Sequence, residues 1–189
     1  ERFSAWYYRT RIGGRTSDNG FTIIVSSNPR MCGYTVFESW SGKEGNLIHE
    51  IVVTSERLQA DPLDVLQTVA HETIHLANKD NGCKDCSKSG RHNKKFKEAC
   101  EEYGLVCEEG SKGWSNTSLT PELRRDIEQN FCPDLQAFNL FRLLPEPKTP
   151  RKSTRSLSCG CTKVRVSLKV ELVATCDKCS NQFKEEVDG

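Results

Sequence analysis

Histidine and methionine are scarce in this 189-residue sequence: there are four of the former and one of the latter. Long apolar runs are missing as well. Stretches such as FTIIV at 21–25 fall far short of the ~18 residues that a membrane-spanning helix needs. Neither sign of charge dominates, with 27 Lys and Arg against 26 Asp and Glu. The resulting +1 excludes a polybasic tail protein and an acidic disordered chain. The opening residues, ERFSAWYYRTR, lack the basic-then-apolar order of a secretory signal. An intracellular location is therefore expected, cytoplasmic or, in a eukaryote, nuclear, with no membrane partner.

Cysteine, by contrast, is plentiful, with ten residues. Ten thiols serve either disulfides or metal sites. With no export signal, and in a chain long enough to bury a core, reduced thiols and metal ligation are expected.

The organisation reads as a larger domain followed by a small one. A short helical piece leads into three strands, Phe21–Ser26, Tyr34–Trp40 and Leu47–Thr54, rich in Val, Ile, Thr and aromatics and separated by Gly, Asn and Pro. In the third of these, apolar residues occur on both alternating sets, as in a strand buried on two faces. Asp61-Pro62 then supplies an N-cap and a proline at N1, with Asp64 in the first turn. Val65, Leu66, Val69, Ala70, Ile74 and Ala77 recur at three- and four-residue steps, so a half-buried helix is predicted there. Residues 78–91 are polar and read as a loop. A second helix is expected over about His92–Tyr103, closed by Gly104. A third starts at Thr120-Pro121-Glu122 and ends near Asn130.

On the first of these helices stands His71-Glu72-Thr73-Ile74-His75, an HExxH pattern. Residues four apart lie about 40° apart around a helix and about 6 Å apart along it, so both imidazoles can face one ion. Glu72 stands beside that face, placed to take a proton from an activated water. Neutral imidazoles suit Zn²⁺, and a catalytic zinc takes three protein ligands with one position left for water. The metzincin extension of the motif would need Gly at 78 and His at 81, where this chain has Asn78 and Asn81. Its one Met, Met31, lies upstream, so no Met-turn follows. Two candidates remain for the third ligand. His92 would gather three of the four histidines into one cluster, whereas Glu98, with Glu101 and Glu102 nearby, would make a thermolysin-like site.

HETIHL followed by a loop and GRHNKKFKEAC resembles the SprT-like zinc metalloproteases, relatives of the Spartan protease. In that family HExxH is followed by a third His in a His-Gly/Asn-x-x-Phe motif, here His92-Asn93-Lys94-Lys95-Phe96. The strand-rich approach to the helix and the carboxy-terminal cysteine pairs are also similar, so the resemblance spans about residues 20–185. It implies an α+β, zincin-like metalloprotease domain with a C-terminal β-rich zinc ribbon. It further implies His71, His75 and His92 as zinc ligands and Glu72 as general base. The activity implied is peptide-bond hydrolysis on proteins attached to or crosslinked with DNA.

A second constellation lies near the C-terminus. Cys159-Gly160-Cys161 and Cys176-Asp177-Lys178-Cys179 flank VRVSLKVEL at 164–172, which alternates as a strand. Two thiolate pairs around a hairpin-sized segment describe a four-cysteine structural zinc site, with Gly160 letting the tight CxC fold. So small a segment would fold on binding metal. The expected layout is thus a protease domain over 1–143, a basic Pro-containing linker over 144–156 and a ribbon over 157–189, with one catalytic and one structural zinc.

From 148 to 169 there are seven cations (Lys148, Arg151, Lys152, Arg155, Lys163, Arg165 and Lys169) and no carboxylate. That suits salt-sensitive contact with DNA phosphates. No aromatic residue lies among them, so base stacking is not expected there. Cys83 and Cys86 form a further CxxC, a weaker candidate for metal. Cys32 and Cys132 are expected as buried small residues, the tryptophans and Tyr7 as packing residues, and His49 as a bystander. The main expectation is a zinc endopeptidase recruited to DNA. Its alternative is a non-catalytic, zinc-dependent DNA-binding or transcription-regulatory protein.

Overall fold

A computed structural model of the chain describes residues 1–13, 20–138 and 153–185. The chain divides into two compact units, Glu1–Leu143 and Leu144–Gly189. The architecture is mixed α+β. Among the described residues no helix is long and apolar enough to cross a membrane.

The first unit is built on a three-stranded sheet of β1 (Phe21–Ser26), β2 (Gly33–Ser41) and β3 (Leu47–Thr54), in the order β1-β3-β2. β1 runs parallel to β3, from Phe21 opposite His49 to Ser26 opposite Thr54, and β2 runs antiparallel to it. β3 is therefore central, and Ile51, Val52 and Val53 are buried on alternate faces. The 47–54 strand, which leads into the HExxH helix, cannot accept an extended peptide, because both of its edges are already paired. The open edge beside that helix belongs to β2.

Helix α2 (Pro62–Asp80) lies on this sheet. The Asp61 side chain accepts the Leu63 backbone N–H, and Pro62 occupies the first turn, where its missing donor costs nothing. Val65, Leu66, Val69, Ala70 and Ile74 join the core with Val53, Phe96, Leu105, Leu123 and Ile127. Gly33 permits the close approach of helix and strand, since a Cβ there would stand 2.8 Å from both Thr68 Cγ2 and the Val52 carbonyl oxygen. Helix α1 (Arg2–Tyr7) is tied to α2 by a buried hydroxyl pair, Ser4 Oγ to Thr73 Oγ1 at 2.7 Å. The Tyr7 hydroxyl donates to the Tyr103 carbonyl.

After α2 come a loop, helix α3 (Lys94–Glu102), the hairpin β4 (Leu105–Gly110) and β5 (Gly113–Leu119), and helix α4 (Pro121–Asp126), which widens into a looser turn over Ile127–Phe131. α3 starts later than expected, because the Asn93 carboxamide oxygen caps Lys95 and Phe96 N–H and leaves His92 outside the helix. The second unit holds a small sheet, β6 (Thr154–Ser158), β7 (Lys163–Ser167) and β8 (Lys184–Glu185), in the order β7-β6-β8.

Several expectations need correction. The strand foreseen over 164–172 stops at Ser167. Thr154 at the start of β6 faces Ser167, and beyond it the chain turns, with Val170 N–H donating to the Ser167 carbonyl at 3.1 Å. Thr154–Ser156, expected in the linker, belong to β6, while most of that linker lies outside the described residues. Cys32 and Cys132 are exposed. Cys132 sits in a left-handed conformation (φ 49°) that ends the turn after α4, and Cys32 precedes β2 at the rim of a cleft. Trp40 is half exposed and donates its indole N–H to Glu50. His49, expected to be either structural or exposed, is structural: it is buried, and its Nδ1 accepts the backbone N–H of Glu38 where β2 bulges.

Ile51 is fully enclosed at the centre of the sheet. Ile51→Ala should cost about 2–4 kcal/mol of unfolding free energy through lost burial and the cavity left behind. Chemical denaturation measures this, and a change below about 1 kcal/mol would place Ile51 outside the core.

Candidate metal centre

α2 carries His71 and His75 one turn apart, against Phe96 of α3 and, for His71, Thr117 of β5, while the neighbouring Glu72 lies against Thr35 of β2. Glu72 and His75 are nearly buried, with 5% and 8% exposure. The third histidine arrives from the loop, and the backbone fixes it. His92 bridges Cys86 on one side and Gly113 on the other. Its N–H donates to the Lys112 carbonyl at 2.9 Å, and its own carbonyl accepts from Trp114 N–H at 3.3 Å. Gly113 is essential to this clamp: its φ is 77°, and a Cβ there would overlap the His92 carbonyl oxygen.

Every one of the three imidazoles has a partner at Nδ1. His75 Nδ1 lies 2.6 Å from Asp85 Oδ2, His71 Nδ1 lies 3.1 Å from Thr117 Oγ1, and His92 Nδ1 lies 3.3 Å from the Lys112 carbonyl oxygen. A carboxylate and a carbonyl can only accept, so His75 and His92 carry their protons on Nδ1. Their Nε2 atoms are then bare lone pairs, yet they face each other at 3.1 Å, with His71 Nε2 3.2 Å from His92 Nε2. A cation at the point of convergence would relieve the repulsion between such close lone pairs. Two nitrogens on a tetrahedral ion with zinc-like bond lengths stand about 3.3 Å apart, so the residues fit such an ion.

The surroundings disfavour the charged form of His71 and His92. Burial and the neighbouring imidazoles hold His71 well below the usual histidine range, and burial, followed by the His75 charge, lowers His92 to about 4. Below them the Phe96 ring lies 4.3–4.7 Å, centroid to centroid, from all three imidazoles and supplies an apolar floor. Burial pushes the Glu72 carboxyl up, against the favourable His75 charge and the Thr35 hydroxyl 2.9 Å from Oε2.

His71, Glu72, His75 and His92 thus come together. Glu98 does not, since it lies exposed on α3, away from the three Nε2 atoms, and Glu101 and Glu102 are exposed too. Sequence reasoning missed Asp85, Thr35 and Thr117. Asp85 is buried and gathers donors from His75 and from Asn78 Nδ2, at 2.9 Å. Hydrogen bonds from these two outweigh burial and hold its carboxyl below the ordinary aspartate range. Its sequence signal was faint: an acidic residue ten positions past His75, in a loop of charged and polar residues. Cys86 lies beside Asp85 and His75, within 4.8 Å counted between ligand-capable atoms, but Cys83 is not part of any such group among the described residues. The second CxxC thus does not close into one metal-capable group among the described residues, and the Cys86 backbone bridges to His92.

In the second unit Cys159, Cys161, Cys176 and Cys179 place their sulfurs within 4.8 Å of one another, a cluster that could hold a metal ion. Cys159 and Cys161 stand 3.4 Å apart and Cys161 and Cys176 3.6 Å, near the about 3.8 Å edge of a tetrahedral zinc–thiolate site. Gly160 at φ 90° and Ser180 at φ 57° turn the chain beside the two cysteine pairs. Of the basic residues singled out for DNA, Arg155 is engaged with Glu185 at 3.5 Å and with the Val170 carbonyl. Lys163, Arg165 and Lys169 are exposed, whereas Lys148, Arg151 and Lys152 lie outside the described residues.

Two substitutions test the support of the three-histidine site. Asp85→Asn should weaken zinc binding about 10–100-fold in a chelator competition while the far-ultraviolet circular dichroism stays native. Unchanged affinity would mean that Asp85 does not orient His75. Gly113→Ala should displace His92 and lower zinc affinity at least about tenfold, and equal affinity would refute the backbone clamp.

Scans against protein-family models, curated proteins and solved structures return no match to this chain.

Proposed function

We propose that the chain is a zinc-dependent endopeptidase of SprT-like type with a zincin-like catalytic domain. One observation carries this reading: three imidazoles, each engaged at Nδ1, bring their ligand-capable nitrogens together, and Glu72 lines the same cleft as His71 and His92. A zinc ion bound there supplies Lewis-acid polarisation of a carbonyl and lowers the pKa of water towards about 7.

The protein's own groups supply the rest. Glu72, set by the Thr35 hydroxyl at Oε2, takes a proton from the water attacking the scissile carbonyl and passes it to the leaving amide nitrogen. The enclosed surroundings of Glu72 favour that exchange, because they raise its affinity for the proton it must briefly hold. Asp85 and the Lys112 carbonyl keep His75 and His92 in the tautomer that leaves Nε2 free, and Thr117 can accept the Nδ1 proton of His71 in the same way. The first residue of the edge strand β2, Gly33, lines the cleft containing His71, Glu72 and His92, so an extended substrate could add to that edge.

The four-cysteine cluster serves as a structural zinc ribbon. Its exposed Lys163, Arg165 and Lys169 give a surface for DNA phosphates, and substrates are accordingly DNA-associated or DNA-crosslinked proteins. The seven basic residues spread over 148–169, with no carboxylate among them, support this partner.

Zinc analysis should return two equivalents per chain, one for each cluster, and Cys161→Ser with Cys176→Ser should remove one of them. Glu72→Gln should keep both equivalents and lower DNA-stimulated proteolysis by at least ~100-fold. Wild-type cleavage by that variant would remove Glu72 from the mechanism. Stable DNA binding by the wild-type protein without proteolysis would instead favour a DNA-binding or regulatory module.

A further inference from the structure

The first 140 residues are net acidic, with 17 basic and 20 acidic side chains. The walls around the three-histidine site are the opposite. A cleft of about 480 Å³ is lined by Arg30, Arg57 and Lys112, with Glu72 as its one carboxylate. A second cavity of about 450 Å³, on the other side of His92, is lined by Lys84, Arg91 and Lys94, with Glu109 as its one carboxylate. His92 borders both.

Some of these cations are already satisfied. Arg91 pairs with Glu109 at 3.1 Å, and Arg57 donates to the Asp64 carbonyl and lies near its carboxylate. Arg30, Lys84, Lys94 and Lys112 are exposed, and none of them forms an ion pair among the described residues. An acidic domain has thus concentrated unspent positive charge on both flanks of one site. Charge of a single sign in a cleft focuses the field and raises the local concentration of the opposite charge.

From this arrangement we infer that the site selects an acidic polypeptide segment, with Asp or Glu side chains on both sides of the bond presented to His71, His75 and His92. Arg30 and Lys112 receive carboxylates on one flank, Lys84 and Lys94 on the other. The inference rests on the endopeptidase reading for the reaction but not for binding. A peptide fits better than a nucleic acid strand for two reasons. No tryptophan, tyrosine or phenylalanine lines the larger cleft, and in the second cavity the Trp114 face is taken by the Lys97 ammonium, 4.5 Å from its centroid. No open platform for base stacking remains.

The test uses the full-length zinc-loaded protein and short fluorescent peptides that differ only in carrying Glu, Gln or Lys on both sides of a common central sequence. Cleavage is followed with the wild-type protein and binding, by anisotropy, with Glu72→Gln. The Glu peptide should be preferred about tenfold over the Gln peptide in both assays, and the Lys peptide should be worst. The preference should shrink at high salt and approach unity in an Arg30→Gln, Lys94→Gln, Lys112→Gln variant that retains its zinc and its circular dichroism. Equal treatment of the three peptides, or no binding to any of them, would overturn the inference. Cleavage without preference would do so while leaving the peptidase reading intact. Selective binding of the Glu peptide without cleavage would uphold the acidic-segment site and remove the peptidase reading. An oligodeoxynucleotide that displaces the Glu peptide, and loses that ability in the triple variant, would reassign the cleft to nucleic acid.

Discussion

Bringing imidazole lone pairs together at about hydrogen-bond distance is electrostatically unfavourable without a cation, and the first unit is organised around making that convergence possible. His75 Nε2 and His92 Nε2 face each other at 3.1 Å only because both rings are committed at Nδ1 to groups that cannot donate. Those groups come from distant stretches of chain, Asp85 in the loop and Lys112 at the hairpin turn. The α2–sheet packing, the glycine at 113 and the Phe96 floor can each be understood as conditions for holding three rings against their mutual repulsion. The cost of enclosing them is offset when a metal ion is bound, which couples metal affinity to the fold.

Features set by local spacing were legible in the sequence. The HExxH helix could be read because its cap, its apolar stripe and its two histidines all obey one helical period. The four cysteines of the second unit could be read because paired thiols at short spacing admit few geometries. His92 as a ligand rested on the scarcity of histidine and on a family resemblance, not on its own surroundings. Asp85, Thr35 and Thr117 escaped notice because their roles arise from contacts across 10, 37 and 46 residues. Strand lengths failed for a related reason. The alternation past Ser167 is present in the sequence, but the backbone turns there, closing Val170 N–H onto the Ser167 carbonyl, and alternation alone does not reveal such a turn. The exposure of Cys32 and Cys132 was hidden too, since cysteine's usual burial says nothing of a cleft rim or of a left-handed turn.

The two units differ in what stabilises them. The first has an apolar core shared by α2, α3, the sheet and the hairpin. In the second, the buried residues are mainly Leu157, Cys159 and Cys176, while Leu168, Val170, Leu172 and Val173 stand exposed. Among the described residues hydrophobic burial contributes little to this unit, and a metal ion held by the four sulfurs would supply what is missing. Metal would therefore matter differently in the two units: the first has its apolar core in any case, whereas the second would owe its principal source of order to a bound ion.

The loop between His75 and His92 contains its own point of tolerance to evolutionary change. Cys86 bridges to His92, Ser87 N–H bonds to the Arg91 carbonyl, and Gly90 N–H closes back on Ser87. Residues 87–91 thus form the tip of a miniature hairpin whose base carries the ligand. Chain added at that tip, around Lys88 and Ser89, extends away from the base and leaves His92 where it is. The interval between a pair of histidines on a helix and a third one beyond it can therefore drift in length over evolution, or be lengthened by design to present a grafted sequence, while the distance between the nitrogens stays fixed.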